Sequence, residues 1–146
     1  MTGPRCSCGR RPGPGPSADL RVLVVDDHPM VRTTLTEVLS EEDGVTVVGN
    51  CEDGSLVVDA VARLEPDVVL MDYSMPVMNG LAATEALRAA ELQSMVVVLT
   101  ADGSVERPMV AAAGGDGLLP KSARVDALVH CLRTVVAGCG CCPYCL

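Results

Sequence analysis

Apolar positions along residues 18–138 fall into two patterns that take turns. Short Val- and Leu-rich runs occupy Arg21–Val25, Val45–Gly49, Asp67–Met71, Met95–Leu99 and Gly117–Leu119. They are continuous rather than alternating, as strands covered on both faces of a parallel sheet must be. Between them the apolar residues recur at helical spacing. Pro29–Ser40 presents Val31, Leu35, Val38 and Leu39 on one side, and Ser55–Leu64 presents Leu56, Val57, Ala60, Val61 and Leu64. Leu81–Leu92 carries Leu81, Thr84, Leu87 and Leu92, and Ser122–Ala137 carries Val125, Leu128, Val129, Leu132 and Val136. A weaker segment, Glu106–Ala113, contains Pro108, which belongs in a first helical turn, and is closed by Gly114-Gly115. Five βα units predict an α/β fold, a three-layer α/β/α sandwich with right-handed crossovers.

Composition sharpens this outline. Hydrophobic residues make up 49% of the 146, yet there is no Phe, Trp or Ile. The core must be built from Val, Leu, Ala and Met. Residues 18–138 carry eight cations against all 19 acids, a net charge of −11 that disfavours a nucleic-acid surface on this domain. No apolar run reaches the roughly 20 residues of a membrane span. Residues 1–17 lack the apolar stretch of a secretory signal. A cytoplasmic location is therefore expected, with the eight cysteines as thiols or metal ligands rather than disulfides. Residues 1–17, rich in Gly, Pro and Arg, read as a disordered arm, 18–138 as the folded domain and 139–146 as a Cys-rich tail.

Function in an open α/β sheet sits beyond the C-terminal ends of the strands. Asp26-Asp27 follow the first run, Asp72 the third, Thr100 the fourth and Lys121 the fifth. Taken singly, each has an ordinary explanation: Asp26-Asp27 as helix caps before Pro29, Asp72 as a turn residue, Thr100 as a strand end, Lys121 as a surface charge. Together they bring three carboxylates, a hydroxyl and an ammonium to one sheet edge. Clustered carboxylates invite a hard divalent cation, and Mg2+ fits such oxygen ligands. A carboxylate beside the cation and a lysine can act as a nucleophile towards phosphorus. Met71, Met75 and Met78 read as core fillers, and His28 as a residue of the helix start. Cys51 and Cys131 read as small buried hydrophobes.

The stretches VLVVDDHPMVR, VVLMDYSMPVMNG, VVVLTA and GLLPKS, in this order over residues 20–138, resemble the receiver domain of bacterial two-component response regulators. The resemblance implies a flavodoxin-like sheet of order 2-1-3-4-5 and a phosphorylation-switched signalling module rather than an enzyme, though one that catalyses its own phosphotransfer and dephosphorylation. It implies Asp72 as phosphoacceptor, with Lys121 contacting the acyl phosphate and Thr100 swinging towards it. Mg2+ would be held by Asp27, Asp72 and the backbone carbonyl of Ser74, with Asp26 acting largely through a bound water. A sensor histidine kinase would be the donor. A downstream protein would bind the face made by 106–113, 117–119 and the last helix, with a phosphorylation-dependent homodimer as a further option.

Two departures bear on the switch and the output. The family usually has Tyr or Phe at the position of Leu118, and the face made by 106–113, 117–119 and the last helix reads as loose, for an order–disorder switch or a weak one. After Gly138 only eight residues follow, so a helix-turn-helix domain and direct DNA binding are not expected. A truncated DNA-binding regulator and a phosphate sink are the alternatives. A haloacid dehalogenase-type phosphatase is disfavoured, since it wants a second Asp where Ser74 stands. In the expected fold both tails leave from the pole opposite the aspartates. Cys6 and Cys8 could there meet Cys142 and Cys145 in a zinc site, giving a metal- or thiol-binding interaction protein as another alternative. Cys142-Pro143-Tyr144-Cys145 also resembles the glutaredoxin motif, without the following helix that lowers the thiol pKa.

Overall fold

In the computed structural model, residues 19–101 and 103–137 are described. The 1–17 arm, the 139–146 tail and the pairing of Cys6 and Cys8 with Cys142 and Cys145 lie outside those residues.

The elements follow in the order β1 (Leu20–Val25), α1 (Pro29–Ser40), β2 (Val45–Cys51), a 3-10 turn (Gly54–Leu56), α2 (Val57–Leu64), β3 (Val68–Asp72), α3 (Gly80–Ala89), β4 (Met95–Thr100), α4 (Arg107–Ala113), β5 (Gly117–Pro120) and α5 (Val125–Val136). The five strands form one sheet of order β2-β1-β3-β4-β5, with every pairing parallel. This is the flavodoxin-like order that the resemblance implies.

Each strand sends alternate residues to opposite faces, which separates the interior into two cores. Val22, Val24, Val68, Leu70, Val97, Leu99 and Leu119 pack with Leu39 of α1 and with Leu128, Val129 and Leu132 of α5. Leu23, Val25, Val69, Met71, Val96 and Val98 pack with α2, α3 and Val110 of α4. Met71 and Met75 are buried in this second core, and Cys51 and Cys131 are buried too. Leu118 lies half-buried against the same second core, on the α4 side.

Helix ends depart from the sequence reading for local reasons. The stretch expected to be helical from Ser55 begins as a 3-10 turn, with the Asp53 side chain accepting from Ser55 N at 3.0 Å. α3 stops at Ala89 instead of Leu92. Glu91 takes a left-handed backbone (φ 59), and Leu92 N donates back to Leu87 O at 3.1 Å. These are the marks of a Schellman ending. α5 begins at Val125 rather than Ser122, because Ala123 N is taken by Pro120 O in a turn.

The short α4 is tied at its C-terminal end. Arg88 of α3 donates Nε to Gly114 O (3.0 Å) and Nη1 to Leu92 O and Ser94 O (both 2.8 Å). Its Nη2 lies 3.0 Å from Asp116 Oδ2, which also accepts from Val96 N. One guanidinium thus joins α3, the end of α4 and the entries to β4 and β5. Gly114 caps α4 with φ +96, a conformation that suits glycine.

Candidate functional site

The polar residues at the strand ends converge. By alternation Asp26, Asp72 and Lys121 continue the rows Val22–Val24, Val68–Leu70 and Leu119, so all three lie towards the α1/α5 side of the sheet edge. Asp26 and Asp72 are buried, and Thr84 is the other buried polar residue among those described. Lys121 Nζ lies 2.9 Å from Asp72 Oδ1 and 3.7 Å from Asp26 Oδ2.

The backbone fixes these positions closely. Asp26 N donates to Cys51 O at 3.1 Å, and Arg32 Nη1 donates to Asp26 O at 2.8 Å. Lys121 N donates to Thr100 O at 2.9 Å, which holds the lysine beside the end of β4. Thr100 itself continues the Val96–Val98 row, towards the face that carries Leu118. The Asp72 carboxylate also accepts from Ser74 N at 3.3 Å, so its turn role and its place in the cluster coexist.

The Asn79-Gly80 pair lets α3 start against the end of β3. Asn79 Oδ1 accepts from Ala82 N at 2.8 Å, a side-chain cap. Gly80 N donates to Tyr73 O at 2.9 Å. A Cβ on Gly80 would lie 2.6 Å from the Asp72 carbonyl oxygen, closer than packed atoms tolerate.

Asp26 and Asp27 do not cap α1. The N-cap residue is His28, which makes no side-chain cap bond, while Asp26 Oδ1 accepts from His28 N at 2.8 Å. Their free oxygens face the cluster instead. Asp26 Oδ2, Asp27 Oδ1 and Asp72 Oδ2 are buried and accept no hydrogen bond among the described residues. Buried carboxylate oxygens without donors are costly, and a cation is the ordinary remedy.

The electrostatics agree. Burial raises the Asp72 pKa; the Lys121 hydrogen bond opposes this, the Asp26 charge adds to it, and the net shift is upward. Burial works against the Lys121 ammonium, but the hydrogen bond to Asp72 and the charges of Asp72, Asp26 and Asp27 prevail and raise its pKa. Three carboxylates therefore share one ammonium.

His28 stands at the start of α1, as the sequence reading has it, and also beside two carboxylates. Its Nδ1 lies 3.1 Å from Asp27 Oδ1 and 3.4 Å from Asp26 Oδ1. Asp26, Asp27, His28 and Asp72 each place a donor atom within 4.8 Å of the others. An open depression beside them is lined by Asp27, His28, Ser74, Met75 and Asn79, among others. The signal was present in His28-Pro29, because a residue before proline is held extended, and His28 has φ −87 and ψ 113.

Among the described residues no helix is long and apolar enough to cross a membrane. Comparison with known proteins points one way. The family model described as the response regulator receiver domain matches residues 22–133. The response regulator GacA of Pseudomonas viridiflava is 40% identical over 120 residues, which are 82% of this chain and 56% of that protein. The nitrate/nitrite response regulator NarL of Escherichia coli K12 is 35% identical over 118 residues, 80% of this chain and 55% of that one. The chain thus spans about half the length of these relatives. The receiver domain of the putative response regulator NarL from Mycobacterium tuberculosis superposes with a TM-score of 0.68 at 34% identity, covering 79% of this chain and 97% of that one. CheY4 of Vibrio cholerae gives 0.72 at 26% identity, covering 81% and 99%. The chain belongs to the response regulator receiver domain family, the phosphorylation-switched signalling modules of two-component systems.

Proposed function

We propose that Asp72 accepts a phosphoryl group from a sensor histidine kinase, with Lys121 and Thr100 receiving it and the α4, β5 and α5 face passing the signal to a protein partner. The observation that supports this most is the sheet edge itself: Lys121 Nζ 2.9 Å from one oxygen of a buried Asp72, whose other oxygen accepts no hydrogen bond among the described residues.

An Asp72 oxygen attacks phosphorus, and the P–N bond of the donor phosphoimidazole breaks with its electron pair going to the imidazole. An acyl phosphate results. Its hydrolysis is the reverse in kind: water attacks phosphorus, the P–O bond to Asp72 breaks, and inorganic phosphate leaves. The domain itself supplies the groups for both steps, so small acyl phosphates serve as donors as well. Lys121 offers a compact positive charge to the phosphoryl oxygens. The Thr100 hydroxyl donates to them.

The donor set fits Mg2+, since the atoms available are hard, buried oxygens short of partners. Asp27, Asp72 and the Ser74 carbonyl would hold it, and Asp26 would reach it through water. Bound there, the cation offsets the crowded carboxylate charge and that of incoming phosphoryl oxygens. The net charge of −11 over residues 18–138 argues that this domain's own output is a protein contact rather than DNA contact.

Intact-mass measurement after incubation with a small acyl phosphate tests the reading. One phosphoryl group, dependent on Mg2+ and absent in Asp72→Asn, is expected. An unchanged wild-type mass would overturn it.

A further inference from the structure

His28 is the one group of the cluster that the phosphotransfer reading leaves without a task. Pro29 holds its backbone extended, and the chain turns so that Asp26 Oδ1 accepts from its N–H at 2.8 Å. That turn brings the ring over the carboxylates. Nδ1 faces Asp27 Oδ1 at 3.1 Å and Asp26 Oδ1 at 3.4 Å, while the side chain as a whole is 63% exposed. At that exposure, water can satisfy Nε2 while Nδ1 faces inward.

These spacings are those of ligands around one ion. Bonds of about 2.1 Å set at right angles put neighbouring donors about 3 Å apart, and opposite donors about 4.2 Å apart. The four side chains hold their donor atoms within 4.8 Å of one another, so small side-chain movements suffice. The Asp26 and Asp72 side chains are each 1% exposed and carry an oxygen that accepts no hydrogen bond among the described residues. Both observations favour a cation among these oxygens, and the imidazole stands at the edge of that site.

We propose that His28 is a nitrogen ligand of this cation site, and that it tunes the site towards divalent transition metals in addition to Mg2+. Imidazole adds affinity for borderline ions such as Ni2+ and Zn2+ and little for Mg2+, which prefers oxygen. The proposal rests on the cation site of the preceding section.

Mn2+ is the direct probe, because it shares the oxygen preference of Mg2+ and reports its ligands by electron spin echo. Full-length protein with Mn2+ bound shows the nitrogen modulation of a directly bonded imidazole, and His28→Ala binds Mn2+ without it. In competition against Mn2+, the ratio of Ni2+ to Mg2+ affinity falls about ten-fold in His28→Ala, equivalent to the loss of one moderate contact. Thiols elsewhere in the chain are common to both proteins and cancel. Mn2+ bound with no nitrogen modulation in the wild type, or an unchanged ratio in the variant, overturns the role of His28 alone. No Mn2+ binding at all, or binding unaffected by excess Mg2+, removes the cation site and the proposal with it.

Discussion

Lys121 Nζ stands 2.9 Å from Asp72 Oδ1, and its own backbone N–H is fixed to Thr100 O, so one residue couples the ends of β3, β4 and β5. It is the only lysine in a chain with ten arginines. An Arg would bring a broad planar fork where a compact charge fits. Replacing it by Met leaves three carboxylates uncompensated, and we expect a loss of about 1–3 kcal/mol in urea unfolding at neutral pH without divalent cation. The Lys121 pKa is raised in the folded protein, so its contribution is complete below the ordinary lysine value of about 10.4 and fades as pH rises through the raised value. Wild type and Lys121→Met should therefore converge in stability in that alkaline range. A gap that persists there would assign the effect to packing.

Asp72→Asn should stabilise the cation-free protein. The Asp72 carboxyl is held above its usual range, chiefly by burial, so ionisation disfavours the fold. The penalty is absent below the unfolded value of about 3.9 and grows as pH rises towards the raised one. At neutral pH the variant should gain roughly 1 kcal/mol, read from urea midpoints, and Mg2+ should narrow the gap. A variant less stable than wild type across this range contradicts the charge argument.

Gly80→Ala tests the close approach of α3 to β3. The added methyl meets the Asp72 carbonyl at 2.6 Å, and backbone must move. Overpacking of this kind costs about 1–3 kcal/mol. The phosphorylation rate should fall as well, because the strain is applied at Asp72, the proposed nucleophile. A neutral effect on both would show that the helix start can slide.

Arg88→Met removes the tie between α3, Gly114 and Asp116. It leaves Asp116 and three carbonyls short of a donor, for an expected loss of about 2 kcal/mol. Amide protection should drop over Arg107–Leu119 and stay unchanged in α1 and α2. Uniform loss of protection would mean that the contact serves the whole fold instead.

Leu118 is half-buried on the face that Thr100 continues. Leucine packs but offers no ring or hydroxyl to trade places with Thr100 in the proposed switch. Phosphorylation should therefore change amide exchange over Val105–Leu119 only slightly, and Leu118→Tyr should enlarge the change. Strong protection changes in the unaltered chain would show that the aromatic is dispensable here.

Most of the fold could be read from residue order, since continuous apolar runs mark strands buried on both sides and helical spacing marks their covers. Helix ends were less legible. Glu91 adopts a left-handed conformation that its own side chain does not favour, and the Leu92–Leu87 bond that imposes it is formed only once α3 exists. The tie at the end of α4 was illegible for the same reason: Arg88 lies more than twenty residues away in sequence and meets Gly114 only across α3 and α4.

At the site, the sequence by itself determined which groups stand at the strand ends, because Asp26-Asp27, Asp72, Thr100 and Lys121 each follow an apolar run closely, and function in such a sheet lies beyond those ends. Only the tertiary structure decided their distances, the burial that raises the Asp72 pKa, and the oxygens left without donors. It also set His28, at the start of α1, beside two carboxylates. Periodicity acts within one segment, whereas charge, burial and ligand geometry are sums over segments that meet only when the sheet is closed by its helices.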